Sequence, residues 1–264
     1  MRRVISETPP NLDILLKTRG LAIYKREPQQ DLIVPDETLH INSFYKKLLH
    51  YSFRIFLRDV IKHQEKFSVK DVAKYASAEV TEEYIRFMVE IGLVEPLDKE
   101  IFRLIRRPIR SFGVTLEWLL AEIFKSDFGV EAIWGVKFRR PGVGGDYDLL
   151  AKINSSLLYM EIKSSPPKQV YAKEVAAYLD RVSDLNPKIS IFFMDTELRM
   201  KDKMVPMFED ELLLKYPNPP EVRRMEKELF SIENKIFIMN AAGSIRGNVE
   251  RILIEYFRPS FQFT

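Results

Sequence analysis

Carboxylates and a lysine occur on two neighbouring apolar segments near the middle of the chain. The stretch GGDYDLLAKINSSLLYMEIKSS, residues 144–165, contains Asp146, Asp148, Glu161 and Lys163. Mg²⁺ takes carboxylate oxygens as ligands, and a lysine beside them can stabilise negative charge that develops on a phosphate. These residue types therefore fit metal-assisted chemistry on a phosphate group.

A β-hairpin would bring the four side chains together. The run NSS that separates the two apolar segments is typical of a turn. A turn centred on its first two residues places Asp148 opposite Glu161 and Asp146 opposite Lys163, with all four on one face because side chains alternate along a strand. Opposed carboxylates destabilise a sheet unless positive charge lies between them, and a divalent cation would supply that charge.

This arrangement resembles the PD-(D/E)xK superfamily of restriction-like nucleases. The resemblance rests on GGDYDLLA followed by LLYMEIK, on a preceding helix that carries Glu117, and on the helix and strand that follow. It covers about residues 111–200 and implies an α/β restriction-endonuclease-like core, with a central mixed sheet flanked by helices. The implied activity is metal-dependent hydrolysis of phosphodiester bonds in nucleic acid, with DNA as the expected substrate. Tyr147 occupies a position where such families loosely keep a proline.

The resemblance implies three catalytic residues: Asp148, Glu161 and Lys163. It also implies that Asp148, Glu161 and the backbone carbonyl of Ile162 bind Mg²⁺, for which Mn²⁺ would substitute. Either Glu117 or Asp146 would add a further ligand, and Asp146 competes with Asp148 for the role of the motif aspartate. On the preceding helix, Glu117 lies at the edge of the apolar stripe, which makes it a better ligand than its neighbour Glu122.

The region before this core is mainly helical. Three predicted helices begin near residue 41, with Ser68 and Thr81 as caps of the second and third, and a small hairpin follows around PLDKE. This order resembles a winged-helix domain over about residues 43–110. The third helix is acidic, which favours an interaction or packing module over an element that enters a DNA groove.

Basic clusters offer a different route to nucleic acid. One lies in RLIRRPIR and the other in KFRR. The residues expected to contact phosphates are Arg103, Arg106, Arg107, Arg110, Lys137, Arg139 and Arg140. A charge cluster alone is more often a solvated face.

The whole chain sets the limits of these inferences. It has 264 residues, of which 46% are hydrophobic and 30% charged, with a net charge of +3 and no cysteine. Three parts are expected: an irregular lead-in over 1–42, the winged-helix-like domain over 43–110 and the nuclease-like domain over 111–264. The lack of cysteine excludes disulfides and thiolate metal sites and suits the cytoplasm, and no apolar stretch approaches the ~20 residues of a membrane span.

Two functions are compatible with these features. The first is a metal-dependent nuclease, for which a homodimer would supply the two sites needed to cut both strands. The alternative is a non-catalytic regulatory protein that binds DNA or a partner through the winged helix and keeps the nuclease-like domain as a scaffold. The opposed Asp148 and Glu161 with Lys163 favour the first.

Overall fold

A computed structural model of the chain describes residues 11–139 and 145–257. The helices are α1 (Leu12–Thr18), α2 (Thr38–Leu48), α3 (Tyr51–Lys62), α4 (Val69–Val72), α5 (Ala78–Glu90), α6 (Gly113–Phe128), α7 (Ala172–Leu185), α8 (Met204–Lys215) and α9 (Ile245–Phe257). The strands are β1 (Ile23–Lys25), β2 (Val94–Asp98), β3 (Ile101–Leu104), β4 (Ala132–Phe138), β5 (Tyr147–Ile153), β6 (Ser156–Lys163), β7 (Ile189–Met194), β8 (Arg223–Glu226), β9 (Leu229–Ile232) and β10 (Ile236–Asn240).

Within those ranges, eight strands form one mixed sheet in the order β1-β4-β5-β6-β7-β10-β9-β8. β6, β7 and β10 run parallel to one another, and the other neighbours are antiparallel. The carboxyl ends of β6 and β7 therefore lie side by side. Ligands of open α/β sheets commonly bind just beyond the carboxyl ends of such strands. The expected α/β architecture with a large mixed sheet flanked by helices is confirmed.

Helices cover both faces of the sheet because the central strands are apolar on both sides. β7, with the sequence ISIFFM, is buried at every position, as parallel central strands usually are. α6 and α9 pack on one face together with α2, α3 and α5, and α1, α7 and α8 pack on the other. α6 ends at Gly129, whose φ of +64° allows the left-handed cap that turns the chain into β4.

The helical part before the sheet contains α2–α5 and the two-stranded β2–β3 hairpin, so the expected hairpin after the third helix is confirmed. Ser68 caps α4 in a capping box with Asp71, as expected. The assignment of Thr81 as a cap is wrong. Ser77 caps α5 instead by accepting a hydrogen bond from the amide of Val80, while the buried Thr81 hydroxyl donates to the Ser77 carbonyl.

One apolar cluster crosses the expected boundary at residue 110. It joins side chains of α2, α3 and α5 to α6 and to the sheet. Phe44 of α2 stacks on Trp118 of α6, with ring centroids 6.2 Å apart, and also meets Phe53 of α3 edge-on. The helical part and the α/β part thus share a core.

Within residues 11–42, the lead-in contains α1, which packs on the sheet, and β1, which pairs with β4 and extends the sheet. The charged region 200–230 is helical only in α8, and β8 and β9 follow as a hairpin beside β10. Each helix within the described ranges is too short or too polar to cross a bilayer.

Candidate active site

The β5–β6 hairpin has the register that the sequence predicts. Leu149 pairs with Met160 and Ile153 with Ser156, across a turn in which Asn154 takes a φ of +55°. An asparagine tolerates this left-handed conformation better than most residues. The register sets Asp148 and Glu161 at facing positions near the end of β6.

Asp148 is tied to the neighbouring strand through its side chain. Its Oδ2 accepts a hydrogen bond of 2.7 Å from the backbone amide of Ile162. Burial raises the pKa of Asp148 to about 8, and repulsion from Glu161 adds to the rise, while the Ile162 amide, Lys163 and Arg181 oppose it. The negative charge of ionised Asp148 is therefore only partly compensated by the groups around it.

Glu161 is buried and enclosed by positive charge. Its carboxylate oxygens lie 3.0 Å from Nζ of Lys163 and 2.9 Å from Nη1 of Arg181, and the Tyr159 hydroxyl donates a hydrogen bond to it. Only 4% of the Glu161 side chain is exposed, so these partners offset the cost of removing a carboxylate from water. The protein itself thus supplies part of the positive charge that the opposed carboxylates require.

Lys163 stands between two carboxylates at the end of β6. Its Nζ lies 3.0 Å from Glu161 and 3.1 Å from Glu174, which is on the first turn of α7. Burial is the largest single influence and lowers the pKa of Lys163, but the contacts with Glu161, Asp148 and Glu174 together outweigh it, so the net pKa is raised. The lysine therefore stays charged and is held in one place.

Glu117 approaches the same region from α6, on the opposite side of the sheet from α7. Burial raises the pKa of Glu117 to about 9, and repulsion from Asp148, Asp146 and Glu161 adds to the rise. Gly135 on β4 lies against this carboxylate, and its φ of +57° and the contact with Pro28 leave no room for a side chain. The lead-in segment thus forms part of the wall beside Glu117.

The other predicted acidic ligand, Asp146, is paired with a lysine of β4. Asp146 precedes β5, after Gly145 with a φ of +100°, and its carboxylate contacts Nζ of Lys137 on β4 at 2.8 Å. The expectation that Asp146 faces Lys163 is therefore wrong, because the strand begins only at Tyr147. Glu122 is paired with Lys125 along α6.

The donor set of this site fits a hard divalent cation. Glu117 and Asp148 offer carboxylate oxygens whose repulsion a bound cation would relieve, and Glu161 lies beside them. Among the described residues, no group of three or more histidine, aspartate or glutamate side chains is placed so that it could hold a metal ion by itself. A cation here would have to bind through one or two carboxylates and keep several water ligands, as Mg²⁺ can.

Three side chains of the site were not anticipated from the sequence. Arg181 and Glu174 lie on α7 and contact Glu161 and Lys163, and Tyr159 precedes Glu161 by two residues on the same strand face. The alternation along β6 could have revealed Tyr159. No sequence pattern distinguishes Arg181 in this way, since most arginines on amphipathic helices are solvated.

The expected phosphate-contacting residues are largely occupied by ion pairs within the protein. Arg103 pairs with Glu95 at 2.6 Å, Arg106 with Asp36 at 4.0 Å, Arg107 with Glu65 at 3.0 Å, Arg110 with Asp31 at 2.6 Å, and Lys137 with Asp146 at 2.8 Å. The guanidinium of Arg139 lies over the Tyr24 ring, and Arg140 falls outside the described residues. Much of this basic charge is therefore neutralised locally.

Comparisons with known proteins find likenesses only among solved structures, at low sequence identity. No protein-family model matches the chain, and no curated protein matches it. The crystal structure of protein VC1899 from Vibrio cholerae is similar at a TM-score of 0.40 and 14% identity, over 69% of this chain and 57% of that one. Can2 from Sulfobacillus thermosulfidooxidans, solved in complex with cyclic tetra-adenylate (cA4), is similar at a TM-score of 0.47 and 12% identity, over 81% of this chain and 54% of that one. This chain spans little more than half the length of either structure, and at these scores neither likeness bears on function.

Proposed function

We propose that the protein is a metal-dependent nuclease of the PD-(D/E)xK type that hydrolyses phosphodiester bonds of nucleic acid, with DNA as the expected substrate. One observation carries the proposal: Glu117 and Asp148 lie in a mutually repelling cluster with Glu161, beside a charged lysine at the end of two parallel strands. Such a cluster lowers stability and is retained where it binds something positive.

In this proposal, Asp148 and Glu161 hold Mg²⁺, with Glu117 and the Ile162 carbonyl as further ligands. When bound, the cation supplies Lewis-acid stabilisation of phosphate charge and activation of water. The Asp148 hydrogen bond to the Ile162 amide fixes the carboxylate relative to β6. Glu174 and Glu161 hold Lys163 on both sides, so its ammonium group is positioned to orient water and to stabilise the negative charge that develops on the phosphate.

The helical part belongs to the proposal as a winged-helix-like module. The order α3 to α5 followed by the β2–β3 hairpin supports this part of the proposal. α5 exposes Glu79, Glu82 and Glu83, so we assign it packing or interaction rather than insertion into a groove. A homodimer with two sites is part of the same proposal for double-stranded substrates.

One observation favours the alternative of a non-catalytic regulatory protein. Glu161 is already neutralised by Lys163 and Arg181, so the hairpin can persist without a cation. A cation that binds at Glu161 must therefore compete with these two contacts. Metal binding measured directly separates the two functions.

The test is calorimetric titration with Mg²⁺ and Mn²⁺, paired with cleavage assays on plasmid, single-stranded and branched DNA. Wild type is compared with a variant carrying Asp148→Asn and Glu161→Gln, and with Asp180→Asn on an exposed part of α7 as the control. We expect binding and cleavage in wild type and in the control, and neither in the double variant. Absence of metal binding and of cleavage in wild type at millimolar metal would leave the regulatory alternative.

A further inference from the structure

A second charged site lies where the helical part meets the sheet. A cavity of about 390 Å³ opens between the end of α3 and the segment that leads into α6. Three cationic side chains line it: Arg58, Lys62 and Arg110. Gln64, Ser111 and Phe112 complete much of the wall.

Positive charge is in excess at this wall. Arg54 and Arg58, one turn apart on α3, share the single carboxylate of Asp195 at the end of β7, with contacts of 2.8 Å and 2.5 Å. The side chains of Arg54 and Asp195 are 1% and 0% exposed, whereas Arg58 is 21% exposed and faces the cavity. Two guanidinium groups against one carboxylate leave one positive charge over, which is costly in a partly buried setting unless an anion approaches.

Neighbouring groups offset this excess only in part, since the carbonyls of Leu48 and Leu49 that accept hydrogen bonds from Arg54 carry no net charge. Arg110 is matched by Asp31 at 2.6 Å, so that pair is neutral overall. Lys62 makes no ion pair within 4.0 Å with any residue in the described ranges, and the acid that faces it and Arg58 is Asp59. Even if the negative charge of Asp59 balances Lys62, Asp195 balances only one of the two arginines, so one positive charge remains.

One donor of Arg58 is unused within the protein. Nε of Arg58 is buried and has no hydrogen-bond partner among the described residues, while the guanidinium is held over the Phe112 ring at 5.4 Å. Buried donors are almost always paired, so an unpaired one at a cavity indicates a missing acceptor. The first turn of α6, which begins at Gly113, carries no acidic residue and no side-chain cap, and this also favours an anion.

We propose that this cavity binds a phosphate group, and that in the working protein the phosphate belongs to the backbone of the nucleic-acid substrate. Arg58 and Lys62 are the contacting cations, and Arg110 lines the opposite wall. Guanidinium and ammonium groups together are the usual partners of phosphate oxygens.

The position of the cavity connects it to the candidate active site. Nη2 of Arg58 donates to the backbone carbonyl of Asp195 at 3.2 Å, and the amide of Asp195 donates to the carbonyl of Lys163 at 2.8 Å. The backbone of Asp195 therefore contacts both Arg58 at the cavity and the backbone of Lys163, the candidate catalytic lysine. A strand held by a phosphate at Arg58 would lie along the same edge of the sheet as Lys163. The nucleic-acid part of the inference rests on the proposed function, whereas phosphate binding does not.

The first test measures binding without metal. The affinity of a fluorescently labelled single-stranded DNA is measured by anisotropy in EDTA across a range of salt concentrations, for wild type, Lys62→Glu and the matched control Lys46→Glu. Lys46 is exposed on α2 and does not line the cavity. We expect Lys62→Glu to weaken binding by about tenfold and to reduce the salt slope by about one, while Lys46→Glu matches wild type. Equal affinities of the two variants would overturn the proposal.

A second measurement identifies the source of the phosphate. Inorganic phosphate should raise the melting temperature of wild type and of Lys46→Glu more than that of Lys62→Glu, and it should compete with the DNA. If phosphate protects wild type but Lys62→Glu binds DNA normally, the cavity takes free phosphate and the nucleic-acid assignment is wrong.

These results are independent of hydrolysis. If wild type has no cleavage activity, and Lys62→Glu loses DNA binding in EDTA, the nuclease proposal fails and the phosphate site stands. If wild type cleaves DNA and Lys62→Glu binds it like Lys46→Glu, the nuclease proposal stands and the phosphate site fails.

Discussion

The carboxylate of Asp148 accepts a hydrogen bond of 2.7 Å from the backbone amide of Ile162. A side chain of β5 thus fixes the position of the peptide group that joins Glu161 to Ile162 on β6. An asparagine can keep this hydrogen bond through its side-chain oxygen but cannot offer a charged ligand. Asp148→Asn should therefore fold normally and lose more than about 100-fold in the rate of cleavage, since even outer partners of metal ligands cost 10–100-fold. Asp146→Asn is the comparison, because Asp146 is paired with Lys137. If Asp148→Asn and Asp146→Asn reduce the cleavage rate equally, Asp148 has no greater role in metal binding than Asp146.

Removal of the charge at Glu117 should stabilise the metal-free protein. Repulsion from Asp148, Asp146 and Glu161 acts on a carboxylate that is already disfavoured by burial. Glu117→Gln should raise the free energy of unfolding by about 1 kcal/mol at pH 9 and reduce the stabilisation that Mg²⁺ provides. Thermal melting with and without Mg²⁺ checks this, with Glu122→Gln on the same helix as the control. A destabilised Glu117→Gln would show that the charged form is held by contacts within the protein.

The stability of the metal-free protein should fall as the pH rises towards 9. In the folded state the pKa values of Asp148 and Glu117 are raised to about 8 and about 9, from ordinary values of 3.8 and 4.5. The folded state thus keeps protons that the unfolded state has released, and this contribution is complete below about pH 4 and lost as the pH passes 8–9. The measurement is the melting temperature between pH 5 and 9 at constant ionic strength.

The control for this pH dependence is a variant with Glu117→Gln and Asp148→Asn. Its melting temperature should vary less than that of wild type over the same range, although Lys163, Arg181 and Glu161 still face the site. Identical profiles would mean that neither carboxyl group has a raised pKa.

Loss of the carboxylate at Asp195 should be among the most damaging single changes. Asp195→Ala would leave the guanidinium groups of Arg54 and Arg58 without their shared partner, and Arg54 is buried. An unpaired buried charge costs about 3–5 kcal/mol. Asp180→Ala removes only the exposed pair with Lys215 and should cost less than about 1 kcal/mol. Chemical denaturation measures both, and similar costs would show that the buried cluster contributes little.

Unfolding should be a single transition across the expected domain boundary. The stack of Phe44 on Trp118 lies in a core that α2, α3, α5, α6 and the sheet share. Trp118→Ala should lower the free energy of unfolding by about 3–5 kcal/mol. The helical part and the α/β part should then melt together at a lower temperature. Calorimetry with hydrogen exchange would report this, and two separate transitions would support independent domains.

The sequence was most informative where local chemistry determines structure. The turn at Asn154 and the alternation of β5 and β6 were sufficient to predict the hairpin register, and the apolar stripe of α6 was sufficient to prefer Glu117 over Glu122. The start of β5 was less predictable. Asp146 fits the alternation, but Gly145 turns the chain and Lys137, a residue of another strand, holds the carboxylate.

Long-range contacts explain what the sequence could not show. The β8–β9 segment, with RRMEKE, has the composition of a helix and becomes a hairpin only because β10 offers an edge on which it pairs. Arg181 enters the site from α7 because Glu161 is buried under that helix. The arginines expected to meet phosphates find acidic partners far along the chain, such as Asp31 for Arg110.

The buried contact between Arg54 and Asp195 joins positions that are 141 residues apart in the chain. Neither residue tolerates the loss of the other, so neither can change alone during evolution without a large loss of stability. Among homologous chains we therefore expect these two positions to vary together: a lineage that has lost the acid at 195 should also have replaced the arginine at 54. The same dependence would constrain any chimera that joins this helical part to a different sheet, since a compatible acid must be grafted with it.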